Sequence, residues 1–227
     1  MPAPLSLTVY FDLICPWCLI GKRHLRAALE QFRRLHPDVD VTVIWRSHQL
    51  LPDTPAAGIP YQEFYERRLG GPAAVAARRA QVQAAARAAG IEFAFERIAL
   101  MPNTLMAHRL IDCAGEFGGA AHVDYLIERL FAAYFMEGRD IGALPVLLAI
   151  ATEVGFPAAA IQACLVAPAP RQEFLYRLAA AAANDGISGV PFFVFNNRLA
   201  VSGAHPPHSL LAAMEQALQP APARQPS

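Results

Sequence analysis

Apolar and polar positions repeat with two different periods along this chain, and the change from one period to the other divides it. Residues 5–14 (LSLTVYFDLI) are dense in β-branched and aromatic side chains and predict a buried strand. Directly after it, Leu19, Ile20, Leu25, Ala28, Leu29, Phe32 and Leu35 recur at mixed three-and-four spacing, which predicts a helix over residues 16–35. His36-Pro37 ends that helix, because proline pushes the preceding residue out of the helical region. Val39 to Trp45 (VDVTVIW) alternates and predicts a second strand. A helix joins the two strands, so they are expected to run parallel with a right-handed crossover.

From Leu51 the strand signal stops. A proline-rich connector, LPDTPAAGIP, leads into helical patterns alone, over about residues 60–69, 72–89, 103–116, 120–136, 142–154, 157–166 and 170–184. Strands return at residues 191–195 (PFFVF) and 198–202 (RLAVS), on either side of Asn196-Asn197. Asparagine tolerates positive φ, so this pair suits a two-residue hairpin turn. A last helix is expected from near His205-Pro206-Pro207 to about Leu218, followed by a disordered tail at 221–227. A crossover between parallel strands needs only about a dozen residues. Here more than a hundred intervene, so the excess predicts a helical lobe of its own.

Composition narrows the function. The 227 residues carry a formal net charge of zero, 55% hydrophobic and 17% charged positions. That balance offers no nucleic-acid footprint and no electrostatic membrane anchor. No window approaches the ~18 apolar residues of a membrane span. The N-terminus, MPAPLSLTVYFDLI, has neither a basic n-region nor a long h-region, so the expected location is cytoplasmic. Four cysteines in a chain of this length are not a disulfide scaffold. Cys113 and Cys164 stand alone on apolar helix faces and are expected to be buried, unreactive thiols.

The chemistry gathers at Cys15-Pro16-Trp17-Cys18, between the first strand and its helix. Strand, C-x-x-C, helix is the context in which this spacing reads as a redox pair. Positions three apart on a helix have Cβ atoms ~5–6 Å apart. Relaxation of the first turn can bring them to the ~3.5–4.5 Å of a disulfide. Cys15 would take the N-cap and Pro16 the first helical position, where a missing N–H costs nothing. A thiolate at Cys15 would face the unpaired N–H groups and the positive end of the dipole, which lowers its pKa. Cys15 is therefore the expected exposed nucleophile and Cys18 the more buried resolving thiol. A zinc site using His205 and His208 as further ligands is the competing reading, but a structural zinc site draws its second pair from much closer in sequence. Trp17 reads either as an apolar wall for a substrate or as a cover over the motif. Asp12 reads either as a charge near the thiols, raising their pKa, or as a strand-end residue facing water. Ser202 and Gly203 open the last helix, whose N–H groups could receive a carboxylate such as that of glutathione; a plain strand-to-helix turn is the alternative.

This order of elements resembles the thioredoxin arrangement, and with its helical insertion it resembles the DsbA family of thiol-disulfide oxidoreductases. CPWCLIGKRHL, PNTLMAHRLI at 102–111, FAAYFMEGRDIG at 131–142, GISGVPFFVFN at 186–196 and SGAHP at 202–206 carry the likeness across nearly the whole chain, and point to the FrnE-like branch. The branch is also similar to 2-hydroxychromene-2-carboxylate isomerases and kappa-class glutathione transferases, which typically carry serine where this chain has Cys15. The resemblance implies an α/β, thioredoxin-like fold over residues 1–50 and 170–220 with a large all-helical insertion over 51–169. It implies a thiol-disulfide oxidoreductase or isomerase, and as the alternative a glutathione-dependent isomerase or transferase for which the full dithiol would be superfluous. On the residues alone Pro191 reads as a trans proline opening an edge strand; the resemblance instead implies a cis bond at Val190-Pro191 beside the dithiol, with the Val190 backbone pairing a bound peptide or glutathione like an added strand. Asn103, Thr104 and His108 read either as a helix start or, by likeness to the glutathione-using relatives, as a face overhanging the dithiol and touching substrate. No tightly bound cofactor or metal is implied; glutathione is the expected co-substrate, a protein or small-molecule disulfide the expected partner, and a homodimer is compatible with the likeness.

Overall fold

The structure is a computed structural model that describes residues 3–168, 173–174, 187 and 189–219. Its centre is a four-stranded sheet in the order β2-β1-β5-β6. Strand β1 (Leu5–Phe11) runs parallel to β2 (Val41–Ser47) and antiparallel to β5 (Phe192–Phe195), and β5 is antiparallel to β6 (Leu199–Ser202). Helix α1 (Pro16–Leu35) connects β1 to β2 and α8 (Pro207–Leu218) follows β6. Asn196 and Asn197 take φ of 48° and 53°, as the turn requires, but Arg198 also belongs to the turn rather than to the strand.

Between β2 and β5 lie α2 (Tyr61–Leu69), α3 (Pro72–Ala88), α4 (Leu105–Phe117), α5 (Ala120–Phe135), α6 (Leu144–Val154) and α7 (Ala158–Val166). This segment is not purely helical, as the periodicity suggested. Ile59–Pro60 (β3) and Leu100–Met101 (β4) pair antiparallel, and a 3-10 turn spans Phe95–Arg97. Pairs this short leave no period to read, and Pro60 masks the first of them. The helix expected over 170–184 and the tail at 221–227 lie outside the described residues, apart from 173–174.

Two cores meet on α1. Leu25, Ala28, Leu29 and Phe32 pack with Leu5, Leu7, Val9, Phe193, Phe195, Leu210 and Met214 between the sheet and the helices α1 and α8. Register explains the sheet side: Leu7 stands opposite Phe195 and Val9 opposite Phe193. The first turn of α1 belongs to the other core. Cys18, Leu19 and Ile20 pack with Phe11, Leu13 and Ile14 and with the lobe residues Leu110, Phe131 and Tyr134. Each fully buried side chain of this kind is worth about 1.5–3 kcal/mol. Leu35, expected on the buried face, is the last residue of α1 and is 55% exposed. Lys22 ties the two parts: its Nζ lies 2.5 Å from Asp124 of α5 and 4.9 Å from the Trp45 ring, while Arg23 pairs with Glu128. Gly21 lets α1 approach the hairpin; a Cβ there would stand 3.0 Å from Pro191 Cγ and 3.3 Å from Phe193 Cζ.

Cys113 and Cys164 are not free thiols: they form a disulfide between α4 and α7, 51 residues apart in sequence. Each stands alone on its own helix, so only the packing of the two helices brings them together. Alongside, the Arg109 side chain, 1% exposed, donates to the carbonyls of Cys164 (2.5 Å) and Ala167 (2.6 Å). It thereby satisfies the C-terminal end of α7, where a cation is favoured. Burial of Cys113 at 2% exposure shields the bond. Millimolar dithiothreitol without denaturant is therefore expected to leave Cys113–Cys164 intact in a peptide map, and to cleave it once denaturant is added. Replacing both by serine should lower stability by about 4 kcal/mol for a loop of this length, read as a fall in the urea midpoint. An unchanged midpoint would contradict this.

Candidate functional site

Strand β1 delivers the chain to the site. After Phe11 it turns at Asp12, whose carbonyl accepts from Cys15 N–H at 3.1 Å. Cys15 is the N-cap of α1 in extended conformation, Pro16 opens the helix, and Cys18 N–H donates to the Cys15 carbonyl at 3.0 Å. Both sulfurs are free, and both lie in the same buried cluster. The Cys15 thiol also donates to the Val190 carbonyl at 3.5 Å, across a Val190–Pro191 peptide bond that is cis. Thus Cys15, Cys18, Val190 and Pro191 come together, although residues 18 and 190 are far apart in sequence.

Cys15 is less open than the sequence suggested. It is 5% exposed, against 2% for Cys18. The physical reason is that Trp17, Tyr65 and Val190 all pack, partly buried, against the core that contains both cysteines. Trp17 is partly buried against that core and partly open to solvent. The Cys15 sulfur caps no helix N–H group either.

Asp12 does not face water. It is fully buried; its Oδ2 accepts from Leu50 N–H at 2.7 Å and its Oδ1 lies 3.1 Å from His108 Nε2. His108 Nδ1 is buried with no hydrogen-bond partner among the described residues. Burial pushes the Cys18 thiol well above its ordinary value. The hydrogen bond and charge of Cys15 push it further, and the Asp12 charge adds to this while a backbone hydrogen bond from Asp12 opposes it. Burial also lowers His48, near both Asp12 and His108.

Three tyrosines of the lobe belong to, or pack against, the core that contains the thiols. Tyr65 is pushed up to about 12, by burial first and then by the charge of Cys15. Tyr61 and Tyr134 are also raised by burial and by their neighbouring tyrosines. Sequence reasoning missed these residues, although Tyr61 and Tyr65 share a helix face at four-residue spacing. It also missed Gln49, whose Nε2 donates to Asn103 Oδ1 at 3.2 Å.

The face expected to overhang the dithiol is turned inward. His108 is fully buried against Asp12 and Thr104 is 2% exposed. Asn103 Oδ1 accepts from Leu105 N–H at 2.9 Å and its Nδ2 donates to the Thr54 carbonyl at 2.6 Å, so it starts α4 and anchors the connector. Ser202 and Gly203 do not open the last helix. That helix begins at Pro207, because two prolines delay it, and Gly203 N–H is taken by the Pro191 carbonyl at 2.8 Å. The Gly203 N–H is therefore already taken. Among the described residues no group of three or more His, Cys, Asp or Glu gathers as a metal site.

These shifts fix the sign of a pH dependence. Cys18, Tyr61, Tyr65 and Tyr134 are all raised in the folded state, so folding favours their neutral forms. Their contribution is whole below the unfolded values of 9.0 for cysteine and 10.0 for tyrosine, and is lost as pH rises past them. The thermal midpoint of the reduced protein should fall between pH ~8 and ~11, starting about one unit lower than in protein with Cys15 and Cys18 oxidised. A midpoint flat over that range would contradict the burial described.

Comparison with known proteins agrees with this architecture. The chain matches the model of the DSBA-like thioredoxin domain over residues 6–215. It is similar to the crystal structure of a probable DsbA oxidoreductase from Streptomyces coelicolor, at 26% identity and a TM-score of 0.84, covering 97% of this chain and 93% of that one. The cytosolic disulfide reductase DsbM from Pseudomonas aeruginosa, solved with GSH, shares the fold at 20% identity and a TM-score of 0.65, over 94% of this chain and 98% of that one. A 2-hydroxychromene-2-carboxylate isomerase shares it at 15% identity and a TM-score of 0.63, over 93% and 95%. A match that runs from β1 through the inserted helices and on into α8 makes this chain a member of the DSBA-like thioredoxin domain family.

Proposed function

We propose that this protein is a thiol-disulfide oxidoreductase, with isomerase capacity, whose working pair is Cys15 and Cys18. The observation that carries the reading is the pair of free sulfurs three residues apart at the start of one helix, with the Val190 carbonyl against Cys15. Cys15 stands at the N-terminus of a helix with no acidic residue in its first turn, where the dipole favours negative charge. Its thiolate attacks a client disulfide; one client sulfur leaves as a thiolate and Cys15 holds the other as a mixed disulfide. Cys18 then loses its proton and attacks Cys15, releasing the second client thiolate. Two electrons pass from the dithiol to the client, and the reverse sequence oxidises a client dithiol. The direction depends on the potential of the pair against its surroundings.

Val190 gains a second role in this scheme. In the reduced protein its carbonyl is engaged by the Cys15 thiol. Once Cys15 has lost its hydrogen to a mixed disulfide, that carbonyl is available to a client N–H, as in strand addition. Glutathione as co-substrate is supported by the DsbM structure with GSH. The same relative supports a cytosolic setting. There the Cys113–Cys164 bond would have to withstand a reducing pool, which its burial favours. A glutathione-dependent isomerase would leave Cys18 without a task.

Cys15→Ala is expected to abolish insulin reduction and the refolding of scrambled ribonuclease. Cys18→Ala should instead accumulate mixed disulfides with the client, visible as adducts by mass. Full activity in the Cys15→Ala protein would refute the assignment.

A further inference from the structure

One crevice beside the dithiol has no part in the chemistry above. It is lined by Pro16, the residue after Cys15, and by Tyr61, Tyr65, Phe95, Arg78 and Arg79 of the lobe, with aliphatic side chains behind them. Its free space is about 30 Å³, room for a group the size of one or two waters. The walls are apolar and the charge stands at the rim. The Arg79 guanidinium lies 5.3 Å over the Tyr61 ring and 6.0 Å over the Phe95 ring. Its Nη2 donates to Gln62 at 2.8 Å, and its Nε is buried with no hydrogen-bond partner among the described residues. Arg78 Nη1 donates to Gln81 at 3.1 Å.

Charge is unbalanced at this place. Arg67 of α2 pairs with Glu63, but among the described residues no carboxylate lies within 4.0 Å of Arg68, Arg78 or Arg79. Tyr65 connects the two regions, since it feels both the Cys15 charge and the positive charges of Arg68 and Arg79. A molecule whose sulfur reaches Cys15 thus has an apolar notch beside Pro16 and, beyond it, guanidinium groups with no carboxylate partner among the described residues.

We propose that this crevice is a subsite through which Arg78 and Arg79 select small disulfides bearing carboxylates over cationic ones. The proposal rests on the reading of Cys15 and Cys18 as the redox pair. The step it governs is balanced: reduced dithiol plus one disulfide gives the Cys15–Cys18 disulfide and two thiols, two electrons passing to the small molecule.

The test is the single-turnover oxidation of the reduced full-length protein by three probes, followed by acid quenching and mass analysis. The probes are glutathione disulfide (anionic), hydroxyethyl disulfide (neutral) and cystamine (cationic). Each rate is divided by that of dithiothreitol with the same probe, which removes intrinsic reactivity. The expected order is glutathione disulfide, then hydroxyethyl disulfide, then cystamine. Exposed ion pairs are worth a few-fold each, so the first and last should differ about tenfold at low salt and converge at high salt. Arg78→Gln and Arg79→Gln should each lower the ratio of glutathione disulfide to hydroxyethyl disulfide several-fold, and Arg79→Lys should retain it. Arg78 is exposed, so its variant tests the idea even where Arg79→Gln folds poorly. Equal normalised rates for the three probes, or ratios unmoved in both glutamine variants, overturn the subsite while leaving the dithiol reading intact. Failure of all three probes to oxidise Cys15 and Cys18 overturns both.

Discussion

The short chain of contacts from Asp12 through Cys15 to Val190 is what the remaining structure serves. The Asp12 carbonyl fixes where the turn begins, and the Val190 carbonyl takes up the Cys15 thiol on the other side. Strand β1 and the hairpin must therefore be in register before the two sulfurs have a defined neighbour. Gly21 lets Pro191 and Phe193 approach α1 closely enough for this. On the proposed chemistry, removing the hydrogen from Cys15 changes that contact first, which would link oxidation state to the availability of the Val190 backbone.

The lobe is joined to this turn electrostatically as well as by packing. His108 of α4 holds the Asp12 carboxylate, and Tyr65 of α2 lies within reach of the Cys15 charge. Cys18, already disfavoured as a thiolate by burial, feels both Cys15 and Asp12. The insertion is thus more than a rim around a thioredoxin-like unit: its first and third helices supply the environment of the two thiols. Lys22 with Asp124, and Arg23 with Glu128, hold α1 to α5, while the Cys113–Cys164 bond and Arg109 hold α4 to α7. Helix α4, which positions His108, is therefore braced against α7.

Periodicity made the central elements legible. The β1, α1 and β2 segments and the helices of the lobe could be read because each repeats over several residues, and the Asn196-Asn197 turn because asparagine tolerates positive φ. Contacts between distant segments could not. Nothing local distinguishes Cys113 and Cys164 from buried free cysteines, since their pairing exists only once α4 lies against α7. Asp12 has the same ambiguity: the strand ends there, and only the arrival of Leu50 and His108 makes it an internal residue. Thr104 and His108 sat on a plausible surface face because helical spacing gives the face but not which neighbour covers it. Ser202 and Gly203 were placed at a helix start that the following prolines move four to five residues onward.

The most direct measurement is the equilibrium of the reduced protein with mixtures of glutathione and glutathione disulfide, quenched in acid and analysed by peptide mass. The account predicts one two-electron transition that joins Cys15 to Cys18, with Cys113–Cys164 oxidised at both ends. A protein in which Cys15 and Cys18 fail to interconvert at any ratio, or in which each binds glutathione without ever joining the other, would contradict it.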